Sequence, residues 1–379
     1  MKRLMLLLLA LCLLASTALA ETSLTIMDGS EYDFLYEYLE RHEDVRIFMA
    51  RPNIEGAAWI NEVMTNPTYD LYQIAVGMIF TRMMEEGYLL PIEDEASLNW
   101  LSRAYPGLQE ALTYEGKLYG LPVPDGLGSG IIVWAYDPED LEDEGPDALP
   151  ATWAELLTMM CEWDEDSPYR LFEMDYVIEL TDEIMRDYIL RYDVPGEVLS
   201  FDTRAFRDTM EALKRWQEVK PFTDTRKALL APRGIFFSDE EGGYPDDSLR
   251  YIPPVTFLPG EEPIIQPGLL QVWCVSSRTK NPDAALGLIA EAAEFMPRNI
   301  QFETIPGTLY PIEDRLTQEA IDQVEALLPY LRISRGSTFG DHFYELTDEI
   351  HRYLDGNLTL DMLVKRLDEM VEMVTLERS

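Results

Sequence analysis

The apolar positions change period repeatedly along the chain. SLTIMD (23–28) reads as a strand, and after Ser30, placed as a helix cap, Phe34, Leu35, Tyr38 and Leu39 recur at helical spacing. VRIFMA predicts a second strand, AAWINEVM a second helix and DLYQIAV a third strand, followed by a helix through FTRMMEEGYL that stops at Gly87 and Pro91. Strand and helix alternating at this spacing predict parallel strands joined by right-handed crossovers. Such sheets bind ligands beyond the carboxyl ends of their strands, where Asp28, Gln73 and Val76 fall.

The stretch EGKLYGLPVPDGLGSG (115–130) breaks this rhythm with glycines and prolines, the composition of a cleft hinge, a phosphate cradle or a nucleophile turn. GIIVWAYD follows as a strand, then PATWAELLTMMCEW, a helix whose Thr152 and Glu155 form a capping box. VIELTDEIMRDYILRYD and TRAFRDTMEALKRWQE predict long amphipathic helices. KALLA, GIFFSD and LRYIPPV predict three short strands, LQVWCVSS an apolar strand, DAALGLIAEAAEFM a helix and GTLYPI a return segment. In the final helix Leu360, Leu363, Val364, Leu367, Val371 and Val374 keep one face apolar.

Residues 1–20 pair Lys2 and Arg3 with an apolar run and end in Ala18-Leu19-Ala20, the pattern of a signal peptide cleaved after Ala20. The rest of the 379-residue chain is enough for two lobes, each with its own core. A net charge of −40 repels phosphate backbones and anionic lipid, which argues against nucleic acid as a partner. Beyond Cys12 in the leader, Cys161 and Cys274 sit within apolar patterns, where a free thiol behaves as a small hydrophobe.

The sites of familiar chemistries are missing from the sequence. Neither a phosphate loop nor a dinucleotide-binding glycine pattern is present, and Gly126, Gly128 and Gly130 precede a strand rather than a helix. Ser129 lacks the glycines two residues to either side that a nucleophile elbow requires. His42, His342 and His351 are spaced too widely for a shared metal, so neither metal nor cofactor is expected. With 70 acidic residues, a carboxylate pair for glycoside cleavage carries no information by spacing alone. Trp134 and Trp273, both in apolar strands, are either core residues or platforms for a sugar ring.

Five segments taken together, YDLYQIAVG…MMEEGYLLPI, YEGKLYGLPV, VWAYDPEDLEDEGPDALPATWAELL, VSSRTKNPDAALGLIAEAA and GNLTLDMLVKRLDEMVEMV, occur in an order that resembles the family 1 extracellular solute-binding proteins of ABC importers, the group of the maltose-binding proteins. The resemblance implies a type II periplasmic-binding-protein fold of the α/β class, with mixed sheets flanked by helices and a hinge of two chain crossings. It implies lobe one at residues 21–122 and 272–312 and lobe two at 123–271 and 313–379. Gly116 would turn a hairpin, Leu121 to Val123 would leave the first lobe, and the strand of Trp273, approached at Gly268, would return to it.

On the same basis the protein is expected to be no enzyme but a monomer that captures a small solute, favouring a sugar or oligosaccharide, for the transmembrane subunits of an ABC permease. A non-transport sensor module and a polysaccharide-acting enzyme are the alternatives. The ligand-contact candidates are Asp28, Gln73, Asp125, Ser129, Tyr176, Phe236, Phe237, Trp273 and Tyr310. Ile74 stands where sugar-binding relatives often hold a tryptophan. Cys12 lies within the apolar run and does not form a lipid-attachment pattern, so the protein is expected in the periplasm or outside the cell without an evident anchor.

Overall fold

The computed structural model describes residues 22–27, 33–51, 62–63, 65–123, 131–140, 149–163, 166–173, 177–194, 197–219, 226–235, 248–267, 270–299, 317–333 and 343–378. The elements of the first half are β1 (Thr22–Met27), α1 (Asp33–Arg41), β2 (Val45–Ala50), β3 (Leu71–Ala75), α2 (Met78–Glu85), α3 (Glu95–Arg103), α4 (Pro106–Leu112), β4 (Thr113–Tyr114), β5 (Lys117–Leu118), β6 (Leu121–Pro122) and β7 (Ile131–Tyr136). Then come α5 (Trp153–Glu162), β8 (Tyr169–Phe172), α6 (Val177–Tyr192), α7 (Arg204–Val219), β9 (Lys227–Ile235), β10 (Arg250–Ile252), β11 (Gln266–Pro267) and β12 (Gln271–Val275). The remaining elements are α8 (Pro282–Asn299), α9 (Gln318–Leu327) with a short 3-10 turn at Leu328–Tyr330, α10 (Phe343–Leu354) and α11 (Leu360–Arg378).

Two mixed sheets organise these elements. The first has strand order β2-β1-β3-β12-β6. Strands β1, β2 and β3 run parallel, as the alternating pattern predicts, whereas β12 lies antiparallel between β3 and β6. β6 therefore points the same way as β3, and both end at the edge where β12 begins. The second sheet has order β10-β7-β9-β8, with β11 also on β7. Here β8 and β9 are parallel, and β7 is antiparallel to β9, β10 and β11.

KALLA and GIFFSD do not form separate strands. Residues 227–235 make the single strand β9, which passes through Pro232. β8 pairs only with positions 227–230. Beyond them no strand among the described residues lies on the outer side of β9 to receive an N–H, so a proline costs no ladder bond there. Phe236 and Phe237, at the end of the predicted GIFFSD strand, lie outside the described residues.

Burial follows the predicted stripes. Phe34, Leu35 and Tyr38 of α1 face the first core, and Leu363, Val364, Leu367, Val371 and Val374 of α11 face the second. The capping box at the start of α5 forms: Thr152 accepts the Glu155 N–H at 3.2 Å, and the Glu155 carboxylate accepts the Ala151 N–H at 2.9 Å. The β4–β5 hairpin turns through Glu115 (φ 50) and Gly116 (φ 77), the double left-handed pair that a two-residue turn demands. Cys274 is buried in the first core and Cys161 packs against the second, so the two thiols are unpaired.

Helix α9 ties the halves together instead of belonging wholly to one. Its Ala320, Ile321 and Val324 are buried in a cluster that joins first-sheet residues to Ile131, Val133, Ile235 and Tyr251 of the second sheet, and Gln323 accepts the Tyr251 N–H of β10 at 3.2 Å. The turn after α9 rests directly on α4. A Cβ added to Gly107 would stand 2.0 Å from the Leu331 carbonyl oxygen, so only glycine permits this approach.

Candidate functional site

The carboxyl edge of the first sheet faces the second sheet through two adjacent chain passages. β6 leaves at Pro122 and its chain re-emerges as β7 at Ile131. β11 ends at Pro267 and its chain enters β12 at Gln271. On one side of the junction β6 pairs with β12, Val272 opposite Pro122, and on the other β11 pairs with β7, Pro267 opposite Ile131. The strands on either side of the two passages are thus bonded to each other, before the junction and after it. Val123 N–H donates to the Gln271 carbonyl at 3.1 Å, and Val76 N–H to the Leu270 carbonyl at 2.8 Å, which anchors the end of β3 to the same place.

A chain of neutral amides starts in the first core and runs to this edge. Trp273 is fully buried against the Phe34 ring, 5.9 Å between centroids. Its indole N–H donates to Gln73 Oε1 at 3.2 Å, and Gln73 Nε2 donates to Gln271 Oε1 at 2.5 Å. Gln73 lies opposite Trp273 in the β3–β12 register, so the sheet sets the first contact and the diagonal sets the second. Gln271, at the start of β12, is half-buried.

Of the nine ligand-contact candidates, Gln73 and Trp273 fall on described residues, and the pairing of β3 with β12 brings them together. Trp273 is a core residue, as is Trp134, which packs edge-on against Trp153 at 5.5 Å between centroids and against Phe172. Asp28, Asp125, Ser129, Tyr176, Phe236, Phe237 and Tyr310 lie outside the described residues, as does the Ala20 cleavage site. Sequence reading overlooked Gln271. The alternation of Gln271 with Trp273 on one strand face was the available signal, masked by the apolar run around it.

A second buried polar group lies in the other half. The Trp153 indole N–H donates to Asp187 Oδ2 at 2.9 Å, and Arg191 donates to Asp187 Oδ1 at 3.2 Å and to the Glu262 carbonyl at 2.6 Å. The Arg191 and Asp187 side chains are 8% and 7% exposed. Burial pushes the Asp187 carboxyl above the ordinary aspartate range, against the pull of the Arg191 guanidinium and the indole bond. Among the described residues no cluster of His, Cys, Asp or Glu is placed to hold a metal ion, and no helix is long and apolar enough to cross a membrane.

No family model and no curated protein matches the sequence. Solved structures do match the fold. The sugar-binding protein MalE from Xanthomonas citri superposes with a TM-score of 0.63 at 15% identity, over 94% of this chain and 98% of that one. The chain has the MalE-like fold. The GacH receptor of Streptomyces glaucescens, solved unliganded and with acarbose, gives 0.61 at 15% identity over 93% of this chain and 98% of its own. The galacto-N-biose/lacto-N-biose I-binding protein of a Bifidobacterium longum ABC transporter gives 0.59 at 14%, over 95% and 98%. At these identities the likeness carries architecture, and in the MalE-like fold that architecture is two α/β lobes of mixed sheets flanked by helices.

Proposed function

We propose that this protein is an exported solute-binding protein that captures a sugar or oligosaccharide between its two lobes and delivers it to the transmembrane subunits of an ABC permease. The observation that carries this reading is the pair of adjacent passages, β6 to β7 and β11 to β12, bonded on both sides of the junction. Strands paired on both sides of the junction confine relative motion to the residues between them, and a ligand that touches both carboxyl edges stabilises only the closed arrangement. The MalE-like neighbours support a carbohydrate: one is a sugar-binding protein, one was solved with acarbose and one with lacto-N-biose.

Within this reading Asp28 follows β1, Phe236 and Phe237 follow β9, and Asp125 and Ser129 fall in the first passage, so each belongs to a segment that leaves a strand for the junction. With Tyr176 and Tyr310 they are proposed to supply aromatic faces and polar groups to the ligand. The chain is proposed to act as a monomer after cleavage at Ala20, with no catalytic step. Thermal unfolding with acarbose, lacto-N-biose and maltotetraose tests the reading. A ligand at a hundredfold excess over its Kd adds about 2.7 kcal/mol of stability. A folded protein that none of the three stabilises would contradict the carbohydrate assignment.

A further inference from the structure

The geometry points to Gln271 as a ligand-contact residue of the interlobe cleft, presenting its carboxamide N–H groups to an oxygen acceptor of a neutral, hydroxylated solute. The inference rests on the solute-binding reading and adds to it a residue, an atom and a ligand polarity. It begins with the one group in the amide chain whose direction is fixed by chemistry. An indole nitrogen is a donor only, so Trp273 must face the oxygen of the Gln73 amide. That places Gln73 Nε2 towards Gln271, and the atom it meets has to be the acceptor Oε1. Gln271 Nε2 is thereby left with its two hydrogens turned elsewhere, and it has no acceptor among the described residues.

The position of Gln271 gives those hydrogens a use. It is the first residue of β12, opposite Ala75, the last residue of β3, at the carboxyl edge that faces the other lobe. It is half-buried, and its amide oxygen is held by Gln73 Nε2. Its backbone carbonyl also accepts the Val123 N–H that joins the two passages. One residue therefore binds the strands of the hinge through its main chain and offers a preset donor through its side chain. A donor supplied by an uncharged amide, itself oriented by an uncharged amide and an indole, favours hydroxyl, ether or carbonyl oxygens over ions. Gln73 and Trp273 act as positioning residues behind it.

Calorimetry of the full mature chain with maltotetraose, acarbose and lacto-N-biose tests this, with Gln271→Glu and Gln271→Met compared to wild type. Gln271→Glu keeps an acceptor for Gln73 Nε2 and removes the donor at neutral pH. Gln271→Met keeps the bulk and removes both. Expected is a loss of tenfold or more in affinity for the bound sugar in both variants, with melting of the unliganded protein unchanged to within a few degrees. Wild-type affinity in Gln271→Glu overturns the donor assignment and leaves the solute-binding reading intact. Binding of none of the three sugars by folded wild type overturns both the sugar class and this inference. A third variant, Trp273→Phe, keeps an aromatic ring at the site and removes the orienting N–H together with the pyrrole part of the indole. Weakened binding of the same sugar supports the positioning role, and wild-type affinity in a folded Trp273→Phe protein contradicts it.

Discussion

Each half of the molecule buries an indole N–H against a polar side chain, and the two arrangements differ in charge. In the first half Trp273 leads to Gln73 and Gln271, neutral throughout and ending half-exposed at the junction. In the second, Trp153 meets the Asp187–Arg191 ion pair, which is almost wholly enclosed and ends on the backbone of Glu262. A buried ion pair is costly to create and costlier to break, which suits a group whose task is to hold α5, α6 and the segment before β11 in one arrangement. A neutral amide chain carries a smaller penalty and can finish at a half-buried position. The charged group ties elements of its half together, while the neutral one runs from the core to the junction between the halves.

The comparison breaks most visibly at Asp187. Asp187→Ala leaves Arg191 enclosed without its carboxylate and the Trp153 N–H without an acceptor. It is expected to cost about 3–5 kcal/mol in denaturant unfolding, with little change in sugar affinity for whatever fraction stays folded. A cost under 1 kcal/mol would show the pair to be ornamental. Trp273→Phe in the first half removes one donor and the pyrrole part of a buried indole but leaves no charge unpaired, so its expected cost is smaller, about 1–3 kcal/mol.

The smallest effect is a pH slope confined to the charged half. Because burial raises the Asp187 carboxyl, the folded chain holds that proton more tightly than the unfolded chain does. Stability from this group is complete below the ordinary aspartate range and is lost as pH rises through the raised value. Arg191, Glu183 and Glu261 are the charged groups that bear on it, and the Glu183 carboxyl is raised in the same sense by burial and by Asp187. Melting should therefore rise as pH falls through the raised value, and Asp187→Asn should flatten part of that rise. Gln73→Leu, which removes a neutral group, should leave the slope as it is.

Much of the architecture was legible because periodicity and turn chemistry are local. The α1 and α11 stripes, the Thr152–Glu155 cap and the Gly116 turn each rest on a few neighbouring residues. What was not legible depends on partners far along the chain. β9 continues through Pro232 because β8 stops short, and nothing near Pro232 announces that. The antiparallel insertion of β12 between β3 and β6 brings together residues some 200 positions apart in the case of Gln73 and Trp273. Trp273, for which core packing is the favoured reading over a ligand platform, is fully buried and bonds Gln73 across the sheet. Ala320, Ile321 and Val324 form an ordinary helical stripe, and only the fold reveals that it packs in a cluster shared by both sheets.

The account stands on two rigid lobes that close on a sugar about the paired passages. Small-angle X-ray scattering of the mature chain, without and with a sugar that calorimetry shows to be bound, tests this most directly. The account predicts a smaller radius of gyration and a shorter maximum dimension on binding. Superimposable profiles at saturation would contradict closure.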